Sequence, residues 1–264
     1  MQKPNLAHAV TYVCTMSSEA LVERLRAAGC VFAEDEAALL LAEFTGDALE
    51  AAVTRRVAGE PLEQVLGFVE FGGLRLAVAR RLFVPRRRTE LVARLAIEAL
   101  PPGGRLADLC CGVGAIAAVV ASRRPDAVVV AADLSPVAVE LAARNLAPFG
   151  ATAVVSDMAA GLVGPFDVIT ACPPYVPSGE IALMPREARD YEPHAALDGG
   201  PDGTDLQAVV FRAAAVLLTP GGVAIVETSR AQAKRTAQRA IEAGLNPSVG
   251  RDKKLGATVV TARA

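Results

Sequence analysis

From residue 85 to the C-terminus, short runs of valine, alanine and isoleucine alternate with longer segments whose apolar residues recur at helical spacing. Strand-length apolar runs separated by amphipathic helices pack well in one way, as a mostly parallel sheet covered by helices on both faces. The spacing predicts helices over 89–100, 115–122, 136–145, 205–218 and 230–243, and strands over 105–109, 128–132, 152–155, 166–171, 222–227, 247–249 and 257–262. No clear helix separates the last two strands, so they read as a terminal antiparallel pair. An α/β sheet of this kind binds ligands beyond the carboxyl ends of its strands, so the residues that follow each strand carry the chemistry.

Upstream the pattern differs. Leu21, Leu25 and Ala28, then Ala38, Leu39 and Ala42, then Leu49, Val53 and Val57 repeat at helical spacing and predict a small helical domain over 1–67. Ser17 and Ser18 can cap its first helix, Gly29 can end it, and Gly46 with Asp47 separates the later ones. Over 68–84 the apolar residues come close to alternating, with Gly72-Gly73 as a turn, which predicts a β-hairpin linking the helical domain to a domain over 85–264.

Composition narrows the function classes. Although 52% of the 264 residues are hydrophobic, no apolar run reaches the length that spans a bilayer. The stretch from Leu6 to Cys14 follows only Lys3 and is interrupted by His8 and Thr11, a poor signal peptide, so a soluble cytoplasmic protein is expected, with no membrane partner. Cys14, Cys30, Cys110, Cys111 and Cys172 lack metal-ligand spacing and read as reduced thiols; no metal is expected. A net charge of -2 disfavours nucleic acid as a partner, and Arg86-Arg87-Arg88, with Arg80 and Arg81 nearby, reads as a solvated face. The oligomeric state is left open.

Two strand ends stand out. Asp108 closes the first strand of the sheet, and Gly112 and Gly114 occupy the turn before the next helix, where backbone must approach a ligand closely. Asp133, at the end of the second strand, can accept both hydroxyls of a ribose; its alternative is an N-cap for the helix that starts at Ser135-Pro136. Ser156-Asp157-Met158 ends the third strand and can flank an adenine. The loop alone admits a dinucleotide, because Ala117 suits its third small position, but no hydride-handling constellation accompanies it. Further on, Cys172-Pro173-Pro174-Tyr175 ends an apolar strand with two prolines and an aromatic ring. The prolines remove two donors and leave carbonyl acceptors under a flat ring, a slot for an amino or amide nitrogen.

With these residues the chain resembles the S-adenosylmethionine-dependent protein N5-glutamine methyltransferases that modify peptide-chain release factors. The resemblance runs through Gly59-Glu60-Pro61-Leu62, Leu66-Gly67 and Glu70-Phe71, then Phe83-Val84-Pro85-Arg86 with Thr89-Glu90, the loop from Asp108 to Gly114, and Asp133. It continues through Cys172-Pro173-Pro174-Tyr175, in place of the family's Asn-Pro-Pro-Tyr, and through Tyr191-Glu192-Pro193 and the loop from Ala196 to Gly203. It implies a class I methyltransferase fold, a Rossmann-like mostly parallel sheet, preceded by a helical domain that recognises a protein substrate such as a release factor. It implies S-adenosylmethionine as cofactor, S-adenosylhomocysteine as product, and a cofactor site of Asp108, Leu109, Cys110, Gly112, Gly114, Asp133, Leu134, Asp157, Met158 and Cys172. Transfer to the target amide would fall to Cys172, Pro173, Pro174 and Tyr175.

Two positions depart from the family pattern. Cys110 stands where the loop begins with glycine, and a side chain there implies backbone that avoids positive φ. Cys172 stands where an asparagine oxygen accepts from the target amide; a thiol is a weak acceptor, which opens the alternatives of another amine acceptor, a nucleobase or small molecule, or of a cofactor-binding protein without turnover. Cys172 as a nucleophile is disfavoured because no histidine lies near it in sequence, although the fold can bring His194 closer. Glu90 reads equally as a cofactor or target contact and as an acid answering a helix dipole, and Cys111 as core filler.

Overall fold

The computed structural model describes residues 17–264; Cys14, His8 and the rest of the N-terminal stretch lie outside the described residues. The chain divides into two units, Met1–Leu66 and Gly67–Ala264.

Among the described residues, the first unit holds α1 (Ser18–Ala27), α2 (Ala33–Glu43), α3 (Gly46–Val57) and α4 (Leu62–Leu66). Ser17 caps α1 by accepting from the Ala20 N-H at 3.2 Å, the capping expected of it. Gly46 is the first residue of α3 rather than a separator, because Thr45 already holds extended backbone at the cap. Leu21, Leu25, Leu40, Leu49, Val53 and Val65 form its own core. A shielded Arg56–Glu36 pair at 2.6 Å ties α3 to α2.

The second unit opens with the hairpin β1 (Phe68–Phe71) and β2 (Leu74–Ala77), joined by Gly72 and Gly73 with φ of 58° and 82°, as a two-residue turn matching strand twist requires. The hairpin is shorter than its alternation suggests. Val69, Phe71 and Leu76 bury against the same core as Ile116 and Val120, so it packs on the second unit.

There follow α5 (Glu90–Ala99), β3 (Arg105–Leu109), α6 (Ala115–Arg123), β4 (Val128–Asp133), α7 (Pro136–Leu146), β5 (Thr152–Val155) and β6 (Phe166–Ala171). Then come α8 (Arg186–Tyr191), α9 (Asp205–Leu217), β7 (Leu218–Thr228), α10 (Ala233–Glu242), β8 (Asn246–Asp252) and β9 (Ala257–Arg263). The seven strands lie in the order β5-β4-β3-β6-β7-β9-β8. β3 to β7 run parallel to one another, and β9 pairs antiparallel with both β7 and β8, so the expected terminal pair is present. One apolar layer joins α5, α6 and α7 to one face of the sheet, and a second, with Val210, Phe211 and Ala240, joins α9 and α10 to the other. The chain runs outward from β3 to β5 and then restarts at β6 on β3's other side, leaving a topological switch point between β3 and β6.

Element limits differ where polar side chains intervene. The helix expected from residue 230 starts at Ala233, because the Ser229 hydroxyl accepts from the Gln232 N-H at 3.2 Å and holds a turn before it. β7 begins at Leu218 because Leu218 already pairs with Phe166 across an irregularity in register.

Candidate active site

Beyond β3, the turn into α6 holds Cys110, Gly112 and Gly114 at φ of 52°, 56° and 79°. The expectation that Cys110 avoids positive φ is therefore wrong: the turn requires the left-handed region at all three positions, and Cys110 occupies it at a cost of about 1 kcal/mol. Its Sγ rests 3.6 Å from the Met158 Sδ, a contact that helps to hold the side chain there. Cys111 is buried, with Sγ 3.6 Å from the Gly112 carbonyl oxygen, as expected of core filler.

Asp108 is fully buried, with Leu109 behind it. It accepts from the Thr170 hydroxyl at 2.8 Å and from the Ala117 N-H at 3.3 Å, which joins the ends of β3 and β6 to the start of α6. Burial pushes its pKa up to about 7, more than these two donors pull it down.

Asp133 is not the cap of α7. Ser135 is, accepting from the Ala138 N-H at 3.3 Å. The two Asp133 oxygens accept from Gly112 N-H at 2.8 Å and Ser135 N-H at 2.9 Å. Each oxygen keeps acceptor capacity, since a carboxylate offers about four lone-pair sites. Leu134 beside it is 65% exposed, an apolar side chain of α7's approach left facing outward. After β5, the Ser156 hydroxyl donates to the Ala160 carbonyl at 2.6 Å and is spent on its own turn, while Asp157 is exposed and Met158 half-buried. A Cβ added at Gly112 would meet no atom within 4 Å, so this backbone borders open space. Free carboxylate acceptors, an outward apolar side chain and open backbone at a helix N-terminus fit an adenosyl group with its ribose hydroxyls.

The second half of the site lies at the ends of β6 and β7. Cys172 is half-buried and Pro173 buried. Burial and the nearby Glu227 carboxylate hold the Cys172 thiol protonated, with its pKa well above the usual value. His194 is exposed and lies 3.9 Å from Asp198, so the structure does not supply it as a base for this thiol. The Tyr175 hydroxyl donates to Glu227 Oε1 at 2.9 Å and accepts from Arg88 Nη2 at 2.7 Å, while Arg88 Nε donates to the same Glu227 oxygen at 3.1 Å. Burial and Glu227 push the phenol pKa up, which keeps it a donor. Among the described residues the buried Glu227 Oε2 has no hydrogen-bond partner.

The loop after Tyr175 is braced on three sides. Val176 N-H donates to Leu197 O at 3.0 Å and Gly199 N-H to Val176 O at 2.8 Å. Gln232 Nε2 donates to Tyr175 O at 2.7 Å and Asp202 O at 3.1 Å. The Glu192 carboxylate, fully buried, accepts from Arg86 Nη2 at 2.7 Å and from Val84 N-H at 3.1 Å. Burial raises the Glu192 pKa, with Arg86 opposing. Glu90 faces elsewhere, accepting from the Gly72 N-H of the hairpin turn at 3.3 Å.

Sequence reasoning missed Glu227, Arg88 and Gln232. Glu227 had a signal, since an acid beside the carboxyl end of an apolar parallel strand repeats the placement of Asp108 and Asp133. Arg88 was masked by its run of arginines, and nothing local marks Gln232.

The family model described as Methyltransferase small domain matches residues 86–185. The release factor glutamine methyltransferase of Bradyrhizobium diazoefficiens is 39% identical over 208 residues, which cover 75% of this chain and 70% of that protein. That of Moorella thermoacetica is 37% identical over 216 residues, 76% of each chain. The chain belongs to the release factor glutamine methyltransferase family. It is a methyltransferase, and S-adenosylmethionine is its cofactor. Among solved structures, a methyltransferase from Pyrococcus furiosus matches with a TM-score of 0.55 at 20% identity, covering 72% of this chain and 89% of that one. A 16S rRNA methyltransferase of T. thermophilus, solved with AdoMet and guanosine, matches with a TM-score of 0.54 at 19% identity, covering 74% and 49%. Both share the class I methyltransferase fold expected from the sequence.

Proposed function

We propose that the chain methylates the side-chain amide nitrogen, N5, of a glutamine in a peptide-chain release factor, leaving S-adenosylhomocysteine. The observation that carries this reading is the Pro-Pro-Tyr turn at the ends of β6 and β7, in a chain whose relatives carry that activity in their names. The cofactor, when bound, supplies an electrophilic methyl on a sulfonium. Asp108, Leu109, Cys110, Gly112, Gly114, Asp133, Leu134, Asp157, Met158 and Cys172 are the residues proposed to hold it, with Asp133 for the ribose and the open turn before α6 for the amino-acid end.

An amide nitrogen is a weak nucleophile because its lone pair is delocalised into the carbonyl. The protein's task is to position the nitrogen and to take its hydrogens on fixed acceptors, so that positioning and electrostatics lower the barrier. Among the described residues no donor occupies the Pro173 carbonyl, which serves as one acceptor, and the Tyr175 ring, fixed through its hydroxyl, packs on the target. The helical domain over 1–67 and the hairpin are assigned to holding the folded protein partner. A translation factor as partner implies cytoplasmic action, and among the described residues no helix is long and apolar enough to cross a membrane. The experiment is transfer of labelled methyl from S-adenosylmethionine to a purified bacterial release factor, with peptide mapping by mass spectrometry. The label is expected on one glutamine, and a release factor left unlabelled while the cofactor binds overturns the assignment.

A further inference from the structure

Glu227 Oε2 is a strong hydrogen-bond acceptor buried with no partner among the described residues, in a side chain only 2% exposed. Its other oxygen is fully engaged by the Tyr175 hydroxyl and Arg88 Nε. A buried carboxylate oxygen without a donor is costly, and its persistence at a strand end points to a donor that arrives from outside. Ala171 of β6 pairs with Val226 of β7, so the next residues in register are Cys172 and Glu227, side by side at the strand ends; burial first, and the Glu227 charge second, raise the thiol's pKa. At this same spot the residue expected to accept from the target is a thiol, which accepts weakly.

We infer that Glu227 is the specificity-determining acceptor of the target pocket: its free Oε2 takes an N-H of the target amide, a task the Cys172 thiol performs poorly, and so it admits glutamine and refuses glutamate. The inference rests on the proposed glutamine acceptor. A glutamate side chain has the same shape but presents oxygen where the amide presents N-H, and two facing carboxylate oxygens repel. A lysine side chain brings an N-H donor but also a positive charge beside Arg88.

Glu227→Gln separates this role from mere support of Tyr175. Its amide oxygen can keep the bonds to Tyr175 and Arg88, while its NH2 turns the free acceptor into a donor. With release-factor peptides carrying Gln or Glu at the target position, kcat/KM of the variant for the Gln peptide is expected to fall at least thirtyfold. Calorimetry on enzyme loaded with S-adenosylhomocysteine is expected to show the wild type binding the Gln peptide at least tenfold more tightly than the Glu peptide, and the variant losing that preference. In a Cys172→Asn background, which restores a second acceptor, the Glu227→Gln penalty is expected to shrink several-fold. Wild-type transfer to glutamine with unchanged Gln/Glu preference in the variant overturns the role of Glu227 alone; a wild type that does not methylate glutamine removes the proposed function and this inference with it. Should Glu227→Gln fail to fold, the wild-type comparison of the two peptides still decides: equal affinities refute the acceptor role.

Discussion

Replacing Gly203 with alanine tests the bracing of the target pocket. Gly203 has φ of 73°, and a Cβ built there falls well inside contact with the Tyr175 carbonyl oxygen and with Gln232 Nε2. The left-handed backbone costs an alanine about 1 kcal/mol. The methyl also drives Gln232 from its bonds to Tyr175 O and Asp202 O, and leaving partly buried acceptors unmatched costs about 1–3 kcal/mol. Lower entropy of the unfolded chain returns about 0.4–1 kcal/mol. The net loss is about 1–3.5 kcal/mol, or a fall in Tm of about 2–14 °C. Gly244→Ala is the control, since Gly244 has φ of 82° but no atom within 4 Å of the added carbon, and only the backbone cost applies. Thermal melts of both variants, with cofactor affinity and methyl transfer measured alongside, give the comparison. Gly203→Ala should lose more stability than Gly244→Ala and lose transfer while still binding S-adenosylmethionine. Equal losses for the two would refute the claim that close packing on Tyr175, rather than backbone strain, fixes this glycine.

Two further outcomes are expected. In Cys110→Gly, relief of backbone strain is nearly offset by the lost contact with Met158 and by glycine's extra unfolded entropy, so urea unfolding should shift by less than about 1 kcal/mol, whereas the β-branched Cys110→Val should destabilise by roughly 1–2 kcal/mol. Asp108 stays protonated in the folded protein up to about pH 7 but ionises near pH 3.9 when unfolded, so its contribution to stability is present below about pH 4 and is lost as pH rises to about 7. The stability of wild type relative to Asp108→Asn should fall across that window and level off above it, and a difference independent of pH would show that the folded carboxyl is not shielded.

The sheet was legible because it depends on periodicity that burial enforces. Each predicted parallel strand, from Arg105–Leu109 to Phe166–Ala171, is a short apolar run bounded by turn or helix signals, and the structure reproduces the limits of Arg105–Leu109, Thr152–Val155 and Phe166–Ala171 residue for residue. The limits at Leu218 and Ala233 were not legible, because a register irregularity and a serine-to-backbone bond set them. In the site, strand-end acids preceding glycine or a cap were readable as local patterns. The Arg88–Tyr175–Glu227 cluster was not, since it joins residues as far apart as 88 and 227 and exists only once β6 and β7 lie side by side. The conformation of Cys110 was misjudged because its side chain was weighed against intrinsic preference, while the turn into α6 dictates the angle.

The bridge made by Gln232 also limits how the pocket can be re-engineered. One amide holds both the carbonyl of the aromatic residue and the bend at Asp202, and Gly199 and Gly203 are pressed against the same stretch of chain. Enlarging this cavity for a bulkier acceptor is therefore a matter of simultaneous replacement at several places. A library that varies one residue at a time should return mainly weakened enzymes, whereas one that varies the amide and both glycines together samples the shapes this wall can take.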